Sequence, residues 1–293
     1  MLSLWHDLHV TACQLDELGS FVHTKEAHLP GAKLSGATYG DAWVWIALAP
    51  VWRWVLACVI GKRDPARADV LLARVAQVTD EHIPFLTSEQ WPAYKHAVLT
   101  TDGAWSQPAR RGARGAAPQP RRRPLPGLLD ARVVQKRAQG RGVAGSTHVV
   151  CGEPEAVVAC VATSPVRQRV HTSVVERDTL TQRQSHRRLT RRTHGFSKDL
   201  TWFEKQLWVS LAYDHLALPP TRWQAPLPTP EPTRGLGSQR QWRPVTPAMA
   251  AGLTDHVWTT HALLSYRVSA AFLDQLHTIE HLFPRWDEFH HGS

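Results

Sequence analysis

The chain has 293 residues, 43% of them apolar, and a formal net charge of +9. That apolar share can build one substantial core, which excludes a fibrous or wholly disordered protein. Cys13, Cys58, Cys151 and Cys160 form no CxxC pair, and MLSLWHDLHV lacks an apolar leader core, so neither a zinc ribbon nor a secreted disulfide framework is expected.

Residues 10–22, VTACQLDELGSFV, alternate around Asp16 and predict a first strand, with two more over 42–49 and 52–60. Residues 43–60 are long enough to span a membrane, but Pro50 and Arg53 at their centre fit two buried strands joined by a turn, and no membrane partner is expected. Trp43, Trp45, Trp52 and Trp54 alternate at strand spacing and read as core. A helix over 65–78 starts at Pro65, a short strand covers 83–88, and a second helix follows with Pro92 in its first turn. Residues 103–145 are rich in Arg, Gly and Pro and read as an irregular basic insertion. STHVVCG predicts a strand, EPEAVVACVA a short helix, and 198–216 an amphipathic helix. Eight prolines between 219 and 247 predict a linker, and 247–288 a helical ending. The expected organisation is a core in two parts, 1–102 and 146–218, interrupted by the insertion of 103–145. A linker over 219–247 and a helical extension over 248–293 follow.

The charge is concentrated. Residues 110–142 hold ten basic side chains against Asp130, which equals the whole excess of +9, and 177–198 add seven against Asp178. Two basic segments on an otherwise acidic chain point to a polyanion, because neutralising phosphates releases counterions. In VVERDTLTQRQSHRRLTRRT, 174–193, a helical projection gathers Glu176, Leu180, Arg183, Arg187 and Arg191 within an arc about 80° wide. A solvated basic face with a local ion pair and a phosphate-binding face beside an acid are both compatible with that spacing.

Three blocks carry a resemblance that decides between them. LDELGSFV, FLTSEQWPAY and VVERDTLTQRQSHRRLTRRTHGFSK resemble the three acid-bearing blocks of insertion-sequence transposases of the IS-one class. The resemblance covers residues 13 to 216, and its third block is the most distinctive. It implies an α/β fold of the ribonuclease-H-like type: a mixed sheet with flanking helices, to which the order of the expected elements also corresponds. It further implies that Asp16, Glu89 and Glu176 are catalytic and hold two divalent ions, Mg²⁺ or Mn²⁺. Such ions take carboxylate oxygens and serve in-line phosphoryl displacement. Arg177, Arg183, Arg187, Arg188, Arg191, Arg192 and Lys198, with Arg121, Arg122 and Arg123 of the insertion, would then contact DNA. The implied partners are transposon-end and target DNA and further copies of the chain, in the cytoplasm at the nucleoid.

The chain departs from the family pattern at several places. Glu89 stands where the family has Asp, moving the carboxylate by about 1 Å. Gly19 replaces an aromatic residue, Asp214 a tyrosine, and the family's amino-terminal zinc-ribbon and helix-turn-helix region is not expected in this sequence. Asp102 is a candidate substitute for the second acid, expected at the wrong end of the following helix. The alternative is a transposase relic that binds DNA without cutting it; an arginine-rich RNA-binding protein is a third class. HTIEH, 277–281, matches a zinc-protease pattern but has no evident third ligand. Glu17 is expected on the strand face opposite Asp16.

Overall fold

A computed structural model describes residues 6–28, 39–89, 91–109, 118–138, 141–190, 194–233, 235 and 237–267. The chain divides into two compact units, His6–Asp199 and one built from Leu200 onward.

The first unit opens with a meander: β1 (Ala12–Val22), β2 (Gly40–Ala49) and β3 (Trp54–Gly61) pair antiparallel in turn. The turn at 50–53 takes Arg53 to a φ of 51°, so the apolar run at 43–60 folds back on itself as the sequence predicts. Among the described residues no helix is long and apolar enough to cross a membrane. Helix α1 (Pro65–Val78) begins with Pro65 in its first turn, and the Asp64 carboxylate accepts from the Arg67 amide at 2.9 Å. It buries Ala68, Leu71, Leu72, Val75 and Val78, a single helical stripe. Strand β4 (Phe85–Glu89) runs parallel to β1, and α2 (Pro92–Thr101) follows.

The region expected to be an irregular insertion is structured in part. A hairpin of β5 (Gly103–Ser106) and β6 (Arg121–Pro124) projects after α2. Strand β7 (Asp130–Ala138) then enters the main sheet parallel to β4, and β8 (Arg141–Cys151) returns antiparallel at its edge. The expectation for 103–145 is therefore corrected from 130 onward. Ala131 and Arg132 are buried, so β7 is held by its sheet neighbours rather than by an apolar run of its own. The result is a six-stranded mixed sheet in the order β3-β2-β1-β4-β7-β8.

Helices α3 (Pro154–Ala162) and α4 (Ser173–Ser185) complete this unit. Val157 and Val161 of α3 pack on Phe85 and Ala131, one face of the sheet. Gln14 on that face bonds α4, whereas Glu17, one residue from Asp16, meets Tyr94 of α2 on the other. The sheet is thus covered on both faces, and strand parity fixes which side chains see which layer.

The second unit contains α5 (Leu200–Leu216), a hairpin of β9 (Gln224–Glu231) and β10 (Arg240–Pro244), α6 (Pro247–Ala250) and α7 (Thr260–Ser265). The expected linker over 219–247 is therefore a two-stranded sheet flanked by short loops. In β9 the prolines alternate, Pro226, Pro228 and Pro230, so their missing N–H groups fall on one edge while the other edge pairs. The helical ending is present only as α6 and α7 among the described residues; HTIEH lies outside them.

Candidate active site

Asp16 sits mid-strand in β1, where Gln14 pairs with Thr87 and Leu15 with Ser88 of β4. Continuing that parallel register by one residue sets Asp16 beside Glu89, with both side chains on the α4 face. Their proximity is felt electrostatically. Burial pushes the Asp16 carboxyl up from 3.8 to about 7, aided by the charges of Glu17 and Glu89 and opposed by the Glu17 amide and the Thr179 hydroxyl. The Glu17 N–H donates to Asp16 Oδ1 at 2.9 Å. A half-buried carboxylate beside a second acid is a common signature of a functional site, since its charge is costly unless a proton or cation neutralises it.

The third acid rides on α4. Gln14, 3% exposed, accepts the Val175 N–H at 3.0 Å and donates to the His171 carbonyl at 2.7 Å. It thereby satisfies a first-turn amide of α4 that the helix leaves open, and ties that turn to β1 two residues before Asp16. Thr172, at the helix start, gives its hydroxyl to Glu176 Oε1 instead. One turn on, Thr179 donates to the Glu176 carbonyl at 2.9 Å and faces Asp16. Glu176 is half-buried on the helix turn that joins these contacts, its carboxylate turned to Thr172. Among the described residues no three acidic, imidazole or thiol groups converge closely enough to hold a metal ion. Asp16 and Glu89 are brought together, then, and Glu176 is brought to the same layer but held aside. Hard divalent cations suit this donor set chemically, since all three groups are carboxylates.

Gln14→Leu is expected to cost about 1–3 kcal/mol, the range for a buried amide left unpaired. Urea unfolding would measure it, and Gln14→Glu should recover part by restoring the acceptor.

The remaining expected site residues scatter. Helix α4 ends at Ser185, because His186 turns to an extended backbone and buries itself with Gln182 at 2.7 Å. The arginine ladder is therefore broken after Arg183, a correction to the single helical arc expected through Arg191. Arg183 donates to the carbonyls of Gly19 and Leu189 at 3.3 and 3.4 Å, a bond between α4, β1 and the following turn. The Arg188 carbonyl accepts from Ser20 at 3.0 Å. Arg177, Arg187 and Lys198 are exposed; Arg191 and Arg192 lie outside the described residues. In the β5–β6 hairpin, Arg122 donates to the Leu99 and Thr100 carbonyls at the end of α2 and lies 5.2 Å over the Trp105 ring. Arg121 and Arg123 are exposed.

The surroundings of Gly19, Glu17 and Asp102 are also defined. Gly19 pairs with Trp43, and a Cβ on it would meet the Trp43 ring at 3.2 Å, so the ring leaves little room for a side chain there. The Arg63 guanidinium lies 4.8 Å from that ring and 5.5 Å from Trp91, and it also pairs with Glu17. Glu17 further accepts from Tyr94 at 3.0 Å, so it belongs to the α2 face as strand parity predicts. Asp102, the substitute candidate, gathers with Ile83, Pro84 and Leu86 near the start of β4, while Glu89 stands at its end. Asp102 is no second acid for this site.

Sequence reasoning missed Gln14 and Thr179. Both were legible in principle: Gln14 shares the Asp16 face at i−2, and Thr179 shares the Glu176 face at i+3. No family model, curated protein or solved structure matches the chain.

Proposed function

We propose that the chain is a nucleic-acid strand-processing enzyme of the three-acid, ribonuclease-H-like type, acting as a DNA transposase. The observation that carries this reading is the adjacency of Asp16 and Glu89 on neighbouring parallel strands, with α4 bringing Glu176 to the same face. The fold assignment is supported by the antiparallel meander followed by parallel β4 and β7.

Asp16, Glu89 and Glu176 are the residues that would hold Mg²⁺ or Mn²⁺, which on binding supplies an activated attacking oxygen and charge neutralisation at phosphorus. The chain's own part is positional. Gln14 and Thr172 set the first turn of α4, Thr179 bonds the Glu176 carbonyl one turn on, and the exposed Arg177, Arg187 and Lys198 meet the phosphate backbone. Glu176 reaches the acid pair by leaving Thr172, a side-chain rotation on the first turn of its helix.

The test is incubation of the full chain with duplex DNA and Mn²⁺ or Mg²⁺. The reading predicts nicking or strand joining that Glu176→Gln abolishes. Metal-independent nicking, or cleavage that survives Glu176→Gln, contradicts it. A second reading, a relic that only binds DNA, is favoured by the hold of Thr172 on Glu176 and by the extra methylene of Glu89. It predicts DNA binding without cleavage even in Glu89→Asp.

The two kinds of arginine in the hairpin separate binding from stability. Arg122→Ala is expected to lower stability by about 1 kcal/mol, since it bonds the last carbonyls of α2 at the negative end of the helix. Arg121→Ala and Arg123→Ala should leave unfolding within about 0.5 kcal/mol of wild type. Each should reduce the slope of DNA affinity against salt by about 1. Thermal unfolding and fluorescence anisotropy over a salt series check the pair.

A further inference from the structure

The face of the sheet that carries Asp16 and Glu89 also carries a cavity of about 380 Å³, which the phosphoryl chemistry leaves unused. Its floor is Ala12 and Gln14 of β1 with Phe85 and Thr87 of β4, and Trp52 of the β2–β3 turn closes one side. The segment between α3 and α4 closes the other, bringing Val166, Arg167, Arg169 and His171 to the wall. The lining is mostly apolar, and its volume falls within the range of small-molecule sites.

The charged side chains that line this cavity have one sign. No acidic residue lines it, while two arginines and two histidines do. Of the histidines, His9 is paired with Asp80 at 2.7 Å and burial disfavours the charged form of His171, which leaves Arg167 and Arg169 as the local positive field. Both arginines are exposed at the rim. Burial, then Arg167 and Arg169, hold the His171 imidazole below its ordinary range against the opposing pull of Glu176, so these guanidiniums act on the cavity wall. The Gln14 amide is already committed to α4, so recognition falls to the apolar interior and the rim.

Position narrows the ligand class. Gln14 and Thr87 precede Asp16 and Glu89 by two residues on the same strands, a separation of about 6.5–7 Å along the sheet. An apolar pocket with a cationic rim, one short step from a paired acid site, fits a flat, weakly polar ring joined to a phosphate. We propose that this cavity receives a single unstacked nucleotide, its base in the apolar interior and its phosphate between Arg167 and Arg169. The assignment of that nucleotide to a strand, rather than to a free mononucleotide, rests on the strand-processing reading given above. Taking a base out of its stack is a general way to bring one nucleotide to a protein pocket, and aromatic walls such as Trp52 and Phe85 favour it.

The experiment uses the full chain and four probes: thymidine, its 5′-monophosphate, an oligothymidylate and an abasic strand of the same length, each titrated by calorimetry. The monophosphate should bind at least tenfold more tightly than thymidine, and the oligothymidylate at least tenfold more tightly than the abasic strand. The charge reversal Arg167→Glu with Arg169→Glu, at two exposed positions, should erase the first preference. Val166→Trp, which fills the cavity, should erase the second. The readout is binding and not cleavage, so a chain that never cleaves DNA can still pass this test, and a cleaving chain can fail it. Equal binding of thymidine and its monophosphate, or preferences untouched by either variant, would overturn the proposal. A preference for the free monophosphate with no distinction between the two strands would overturn the strand assignment.

Discussion

Asp16→Asn is expected to raise the melting temperature of the metal-free protein while lowering strand cleavage by roughly 10³-fold or more, about 4 kcal/mol in barrier. The two effects have one cause. The folded protein holds the Asp16 carboxyl at about 7 against an ordinary value of 3.8, so the native state binds that proton more tightly than the unfolded chain. The stability contributed by protonated Asp16 is complete below pH 3.8 and is lost as pH rises through about 7. At pH 8 the ionised carboxylate then costs at most about 4 kcal/mol, and water reaching the partly exposed strand reduces that to about 1–3. Asparagine removes the cost and, on the proposed reading, one of the carboxylates that would hold the metal. The stabilising effect of Asp16→Asn should therefore be large at pH 8 and shrink by pH 5. Mn²⁺ should raise the melting temperature of the wild type at pH 8 and leave Asp16→Asn unmoved. Thermal unfolding at both pH values checks this, and a variant less stable than wild type at pH 8 would contradict it.

The second large effect lies behind Glu89. Arg132, 7% exposed, donates to the Trp91 carbonyl at 3.1 Å, and the Trp91 amide donates to the Glu89 carbonyl at 2.9 Å. The guanidinium so holds the turn that carries the second acid. It also lies 3.8 Å from Asp130, whose carboxyl burial pushes up to about 6 despite Arg132, His148 and Lys95. Arg132→Met removes the nearest cation from a buried acid and should cost about 3–5 kcal/mol in urea unfolding. Asp130→Asn in the same chain should recover a large part of that loss, since the uncompensated charge is gone. Cleavage should not recover with it, because the Trp91 carbonyl stays unheld. A loss under about 1 kcal/mol, or a double variant as unstable as the single one, would show that the pair contributes little.

The first three strands, α1, β4 and α2 were legible in the sequence because each repeats at its own period: alternation through 10–22 and 42–60, a helical stripe through 65–78. Glu17 on the far face was legible through the same parity, whereas the pairing of Asp16 with Glu89 was expected only from the resemblance. What was not legible depends on neighbours. Strand β7 carries Asp130, Arg132 and Lys136 among its nine residues, and it is a strand because β4 and β8 pair with it on both sides. Strand β9 reads as a linker from its prolines, and only the alternation of those prolines leaves an edge able to pair. The arginine ladder fits a helix on paper through Arg191, but the buried His186–Gln182 contact ends α4 at Ser185. Arg122 and Arg183 illustrate a further limit: a basic side chain in a basic run gives no local sign that it will bond backbone carbonyls instead of phosphate.

The most direct test of the central claim is equilibrium binding of Mn²⁺ to the full chain with duplex DNA present, followed by electron paramagnetic resonance, in wild type, Asp16→Asn and Glu176→Gln. Asp16, Glu89 and Glu176 as shared ligands predict two bound ions in the wild type, with occupancy lost in both variants. Mn²⁺ binding that is absent in the wild type, or unchanged by either substitution, would contradict a carboxylate-held metal centre at this face of the sheet.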